Sequence, residues 1–359
     1  MSGRGEHWVI VLAAGDGRRL HSLTTDATGV AVPKQFCSLS GGQTLLEETL
    51  ERARAVANEE HIVCIVAESH RQWWHLLKGI LPERNLVVQP RNRGTANGIA
   101  MPVLQVLDQD PTARILIMPS DHFVLDEQVL VQSMRRALRA IAGDSDHLLL
   151  LGITPEEADP ELGYIQPGPA VGPELFSVAN FVEKPAAPLA SSLCQSGALW
   201  NSFIMAAEGQ TLLDLYANNY PEVVLAMIDA IRADRSGNRH GLRRVYDDLP
   251  DIDFSRHVLT GAEPRLRLLP VAACGWSDLG TPASVARTLQ RLLSRRRPAT
   301  GPALPFISLA AAQLRLQATA RGVHPEGAIH KEAATHRPAR SSGRRRPTPL
   351  RSTEPTVPS

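Results

Sequence analysis

Among 359 residues there are four cysteines, Cys37, Cys64, Cys194 and Cys274, and they stand singly. Without a Cys-x-x-Cys pair or matching histidine spacing, neither a zinc ribbon nor a disulfide framework is expected, only reduced, partly buried thiols. No apolar run approaches the ~20 residues needed to cross a bilayer. The opening residues, Met1 to His7, lack the apolar centre of a signal peptide. The expectation is a soluble cytoplasmic protein with no membrane partner. An excess of charge is lacking too: 38 Lys and Arg stand against 37 Asp and Glu, a net charge of +1, so nucleic acid is not an expected partner. Any affinity for anions has to be local.

An apolar content of 43% is enough for a sizeable core, and the length exceeds that of one ordinary domain. The most informative stretch lies at the start. Residues 8–12 form a short apolar run that empties into Ala13-Ala14-Gly15-Asp16-Gly17-Arg18-Arg19-Leu20, with Val32-Pro33-Lys34-Gln35 a little further on. Two glycines let the backbone turn tightly and bring bare N–H groups close to a ligand, and Arg19 and Lys34 add charge. Such a loop suits phosphate. The dinucleotide fingerprint G-x-G-x-x-G is broken, because its third glycine is Leu20 here, and no Gly-Lys-Ser/Thr follows at P-loop spacing.

Short apolar runs at 8–12, 62–66, 86–88, 115–118 and 148–151 alternate with amphipathic stretches at 44–56, 70–80, 96–107 and 127–142. Strands that are apolar throughout and separated by helices predict a Rossmann-like α/β fold, a mostly parallel sheet with helices on both faces. Ligands then bind beyond the carboxyl ends of the strands. The residues found there are Gly15 to Arg19, Gln89 to Thr95, and Pro119-Ser120-Asp121-His122. From residue 153 the alternation loosens into a smaller, mixed region with strands near 163–166, 178–185, 200–205 and 266–271, which can close the site from the other side. Helices are expected at 211–217, 222–232 and 282–293. Residues 1–294 read as one domain with halves 7–152 and 153–294. A linker with room for one helix spans 295–335, and a disordered, basic, Pro-rich tail spans 336–359.

The first loop resembles the signature of the sugar-nucleotide pyrophosphorylases (nucleotidyltransferases), L-A-G-G-x-G-x-R-L followed by P-K. The aligned residues are Leu12, Ala13, Ala14, Gly15, Gly17, Arg19, Leu20, Pro33 and Lys34, all matching except Ala14. Ala14 replaces the first glycine, and Ser22 stands where the family usually has proline. Further matches are Gly-Tyr-Ile at 163, Phe-Val-Glu-Lys-Pro at 181, Trp-Asn-Ser at 200 and Gly-Trp-Ser-Asp at 275. No hexapeptide repeat is present, so the C-terminal β-helix of many relatives is not expected.

Taken alone, Asp121 after its apolar run is as good a helix cap as a metal ligand. Asp278 fits an Asx turn, and the polar cluster from Gln89 to Gly94 and Thr95 an ordinary loop with a cap. The resemblance implies more. Asp121 and Asp278 would share Mg2+ although they lie far apart in sequence, and Gln89, Gly94 and Thr95 would read the base, with Gly94 letting the ring approach. Gly163, Glu183 and Asn201 would meet the sugar, and Lys184 would hold the phosphate of the sugar 1-phosphate. Asp253 resembles an element of the mannose branch without an assignable role. His122 is not expected to act as a base, because the attacking phosphate oxygen is already ionised.

Pro33-Lys34-Gln35-Phe36, Trp-Asn-Ser and Ile-Asp-Phe at 252 are most similar to mannose-1-phosphate guanylyltransferases. That implies GTP and mannose 1-phosphate as substrates, with GDP-mannose and pyrophosphate as products; a homodimer is left open. Glucose 1-phosphate with UTP or dTTP would use the same loops. A non-catalytic nucleotide-sugar-binding subunit is the other alternative, and the retention of Arg19, Lys34, Asp121, Lys184 and Asp278 speaks against it.

Overall fold

The computed structural model describes residues 7–26, 28–77, 79–235, 241–294 and Ser308. Apart from Ser308, the expected linker helix and tail lie outside the described residues. The first half runs β1 (His7–Ala13), α1 (His21–Thr24), α2 (Leu45–Arg54), β2 (Ile62–Ala67), α3 (Arg71–Trp74), β3 (Leu86–Gln89), α4 (Gly94–Gln109), β4 (Arg114–Pro119), α5 (Glu127–Ile141) and β5 (Leu148–Ile153). The second half adds β6 (Tyr164–Gly172), β7 (Leu175–Val182), α6 (Ala187–Gln195), β8 (Leu199–Glu208), α7 (Gly209–Ala217), α8 (Pro221–Arg235), α9 (Gly241–Asp248), β9 (Leu266–Val271) and α10 (Pro282–Ser294).

All of these strands join one sheet in the order β3-β2-β1-β4-β8-β5-β9-β7-β6. Neighbours among β1, β2, β3 and β4 pair in parallel, as do β5 and β9, whereas β8 opposes both β4 and β5, and β7 opposes β9 and β6. The mixed second half therefore extends the same sheet, with β8 inserted between strands of the first half. This insertion matters for the site: because β8 runs backwards, its beginning, with Asn201, lies at the edge where the parallel strands end.

The apolar runs are explained by burial on both faces. Along β1, Val9, Val11 and Ala13 enter one core with α2 and α5, while Trp8 and Ile10 enter the other with α4, α7 and α8. The stretch expected as a helix at 70–80 is instead the four-residue α3 followed by a 3-10 turn at His75–Leu77. Two adjacent tryptophans account for the break: Trp74 is buried and donates to the Ala67 carbonyl at 2.7 Å, while Trp73 stacks on Phe36. Helices α6 and α9 were not expected from the sequence.

Helices α2 and α5 are joined by Arg52, which donates to Glu127 at 2.8 and 2.7 Å. Beside it, Glu48 is pushed up to about 7, first by burial and then by Glu127, Glu51 and Glu47, against the pull of Arg52. A carboxyl raised in the folded state binds its proton more tightly there, so its contribution is complete below the ordinary value of 4.5 and is lost as pH rises through about 7. Glu48→Gln is expected to raise unfolding stability by about 1–2 kcal/mol at pH 8 and to change it little at pH 4. Urea unfolding at the two pH values checks this.

Candidate active site

The two loops that carry the distant aspartates are zipped together by their backbones. Phe123 N donates to Ser277 O and Ser277 N to Phe123 O, both at 2.9 Å, and Leu125 N donates to Cys274 O at 3.1 Å. Gly275, at φ +64°, permits this approach, since a Cβ there would lie 2.6 Å from Leu125 Cβ. The pairing brings Asp121 and Asp278 to a single ammonium group. Lys34 Nζ lies 2.8 Å from Asp121 Oδ2 and also donates to the Asp278 carbonyl oxygen.

Lys34 is itself buried, in a 3-10 turn (Lys34–Phe36) that follows Pro33. Above it the first loop passes so close that a Cβ on Gly17 would sit 3.0 Å from Lys34 Cβ; Gly17 takes φ +64°. Arg19 reaches the same place, 3.7 Å from Asp278 Oδ2, while its Nη1 donates to Glu161 at 3.1 Å. Burial would raise the Asp121 carboxyl, but Lys34 and then His122 outweigh it and hold it below the ordinary range. His122 is pushed down to about 4 by burial and packs edge-on against Trp276, so it is neutral at physiological pH. It carries no imidazolium proton to give there.

Among the described residues no cluster of three or more His, Cys, Asp or Glu could cage a metal. The chemistry here suits Mg2+ nonetheless, because that ion takes one or two carboxylates and completes its shell with phosphate oxygens and water. Asp121 Oδ1 lies 3.6 Å from His122 and Asp278 Oδ2 3.7 Å from Arg19, too long for hydrogen bonds, so each carboxylate keeps an oxygen suited to a cation.

A second wall gathers the other predicted residues. Gly163 is tightly enclosed: a Cβ would fall 2.7 Å from Glu183 Oε2 and 3.3 Å from Asn201 Cβ. Asn201 N donates to Gly163 O at 2.8 Å, and Asn201 sits at a register shift between β5 and β8, where bulged backbone re-aims side chains. Glu183 is raised above its ordinary value by burial and then by Asp253. Lys184, half exposed, lies 3.7 Å from Glu183 and adopts φ +47°, a conformation costly for a residue other than glycine. Since the flexible end of Glu183 can yield, Gly163→Ala is expected to fold normally but displace that carboxylate. If Glu183 meets a sugar phosphate, as the resemblance implies, KM for that ligand should rise about tenfold or more with KM for the nucleotide unchanged, as steady-state kinetics would show.

The third group lies at the end of β3. Gln89 is buried, and its Oε1 has no hydrogen-bond partner among the described residues. Gly94 has a reason of its own that involves no ligand: it takes φ +82°, and a Cβ would lie 2.3 Å from the Ile252 carbonyl oxygen. Thr95 accepts from Phe254 N at 2.8 Å. Residues 250–254 are thus strapped across the start of α4, and Asp253 and Ser255 continue from that strap to the Glu183 wall, where Asn201 reaches Ser255 Oγ at 3.5 Å.

Sequence reasoning missed this strap, with Arg93 donating to Tyr246 O at 2.7 Å, and it missed Ser255 and Glu161. The only signal was Ile-Asp-Phe, which carried no role. Within the first loop, Leu12 O accepts from Ser120 Oγ at 2.7 Å, and Ala13 O and Gly15 O accept from Gln35. Neither Ala14 nor Gly15 takes a positive φ, which is why alanine is tolerated at 14.

A family model described as nucleotidyl transferase matches residues 8–295. The chain is 27% identical over 296 residues to the mannose-1-phosphate guanylyltransferase RfbM of Salmonella typhimurium, covering 77% of this chain and 57% of that protein. It is 30% identical over 301 residues to the mannose-1-phosphate guanylyltransferase of Salmonella muenchen, covering 77% and 58%. The chain therefore spans little more than half the length of these curated relatives. Among solved structures, one titled mannose-1-phosphate geranyltransferase from Thermus thermophilus superposes with a TM-score of 0.67 at 27% identity, covering 79% of each chain.

Proposed function

This chain belongs to the nucleotidyl transferase family, and from that premise we propose that it transfers GMP from GTP to mannose 1-phosphate, giving GDP-mannose and pyrophosphate. The observation that carries the proposal is the meeting of the Asp121 carboxylate and the Asp278 backbone carbonyl at the Lys34 ammonium, beneath a glycine-lined loop. Relatives named for this activity support the choice of base and sugar.

In the reaction a phosphate oxygen of mannose 1-phosphate attacks the α-phosphorus of GTP, and the bond to the bridging oxygen of the β-phosphate breaks, the electron pair leaving with pyrophosphate. Catalysis is then positioning and charge neutralisation. The loop N–H groups and Arg19 hold the β- and γ-phosphates, Lys34 meets the reacting phosphates, and Lys184 aligns the nucleophile. Gln89, with its unpartnered Oε1, supports base reading at the end of β3, and Glu183 and Asn201 take the sugar hydroxyls. Asp121 and Asp278 would hold Mg2+, which when bound neutralises charge at the α-phosphate. No proton has to be removed from the attacking oxygen, and His122, whose affinity for a proton burial lowers, is given no part as a base.

The test is to incubate the chain with Mg2+ and each of GTP, UTP and dTTP against mannose 1-phosphate and glucose 1-phosphate, identifying the nucleotide sugar formed. GDP-mannose as main product is expected. A UDP or dTDP sugar would replace the substrate assignment, and nucleotide binding without any product would point to the non-catalytic alternative.

A further inference from the structure

We propose that Gln35 is a positioning residue that aims the phosphate-binding loop, so that the loop presents the N–H donors of Ala14 and Asp16 to a polyphosphate. This deepens the reading above and rests on it for the identity of the ligand. Gln35 is 2% exposed, and its Nε2 donates to Ala13 O at 2.9 Å and to Gly15 O at 3.0 Å. Both protons of one amide nitrogen are thereby used on alternate carbonyls of the loop. Two acceptors in front of it fix which end of the carboxamide faces the loop.

In a trans peptide the carbonyl and the following N–H point in opposite directions. Holding the carbonyls of Ala13 and Gly15 towards Gln35 therefore turns the N–H groups of Ala14 and Asp16 away from it. Ser120 does the same for Leu12, whose carbonyl it takes with both its N–H and its hydroxyl. The left-handed Gly17 then curls the chain, as in a backbone nest that receives anions. With the lone pairs of residues 12, 13 and 15 turned inward, the face opposite Gln35 presents donors to a phosphate chain. Gln35 also belongs to the 3-10 turn of Lys34, so one turn of chain places both the ammonium at Asp121 and the amide beneath the loop.

Gln35→Met keeps the length of the side chain and removes both donors. Gln35→Glu sets a carboxylate against two carbonyl oxygens. The full chain is titrated calorimetrically with inorganic pyrophosphate and Mg2+, and separately with mannose 1-phosphate, after circular dichroism has shown that the variants fold. Pyrophosphate affinity is expected to fall about tenfold or more in Gln35→Met and further in Gln35→Glu, with mannose 1-phosphate affinity held within about twofold. Unchanged pyrophosphate binding in Gln35→Met, equal losses for both ligands, or a parent chain that does not bind pyrophosphate would each overturn the assignment. If Gln35→Met does not fold, Gln35→Asn, which draws the donors back by one carbon, is read in the same way. Pyrophosphate carries neither base nor sugar, so a parent chain that binds it but makes no GDP-mannose removes the proposed substrates and leaves the role of Gln35 standing.

Discussion

Asp121→Asn is expected to lower the rate of product formation by about 10²–10³-fold or more while the protein keeps its fold. Asparagine still offers an oxygen to the Lys34 ammonium, now 2.8 Å from the carboxylate, so the buried lysine is not stranded. What it removes is the negative charge that a divalent cation needs. Asp121→Ala differs, because it takes away the hydrogen-bond acceptor as well as the charge beside a lysine whose side chain is 6% exposed. An unpaired buried ammonium is costly, here about 1–3 kcal/mol after allowance for the partly exposed carboxylate it loses. The two variants should therefore be equally inactive and unequally stable. Steady-state product formation and thermal unfolding of both variants separate the two effects, and near-normal turnover in Asp121→Asn would remove the aspartate pair from the mechanism.

The parts of this site that could be read in the sequence are those fixed by short-range rules. Runs such as 62–66 and 115–118 are apolar because β2 and β4 are covered on both faces, and a parallel sheet puts the loops after them at one edge. Lys34, Asp121 and Asp278 were legible as motif residues, but their meeting depends on the backbone pairing of Phe123 with Ser277, which leaves no trace in composition. Gln35 was visible as a letter in a motif, yet its work is done on carbonyls 20 and 22 residues away. Gly94 was read as space for a ligand ring, and the crowding there comes from the chain itself, through Ile252. Tertiary contacts of this kind lie beyond any periodicity. Helices α6 and α9 escaped for a local reason: each is only nine or eight residues long and buries few side chains, Ala190 and Leu193 in α6 and Tyr246 in α9.

Gly94→Ala is expected to destabilise the fold by more than about 3 kcal/mol, combining the left-handed backbone cost with a clash that no rotamer can relieve. The obstacle is backbone, the Ile252 carbonyl oxygen 2.3 Å from the new Cβ, with Asp251 Oδ1 at 2.5 Å. Relief requires the strap to lift, and lifting breaks Ala96 N to Ile252 O at 2.9 Å, Ile252 N to Arg93 O at 3.2 Å and Asn97 Nδ2 to Pro250 O at 2.9 Å. The same strap leads into Asp253 and Ser255, which stand beside Glu183 and Asn201. This substitution at the start of α4 should therefore raise KM for the sugar phosphate as well as lower the unfolding midpoint. Gly15→Ala is the control: it has nothing within 4 Å of a Cβ and no positive φ, so its stability should stay within about 1 kcal/mol of the parent. Its effect should appear in nucleotide affinity. If Gly94→Ala unfolds at the parent's midpoint with an unchanged KM for the sugar phosphate, the strap does not tie the two sides of the cleft together, and Gly94 is answering to a ligand rather than to Ile252.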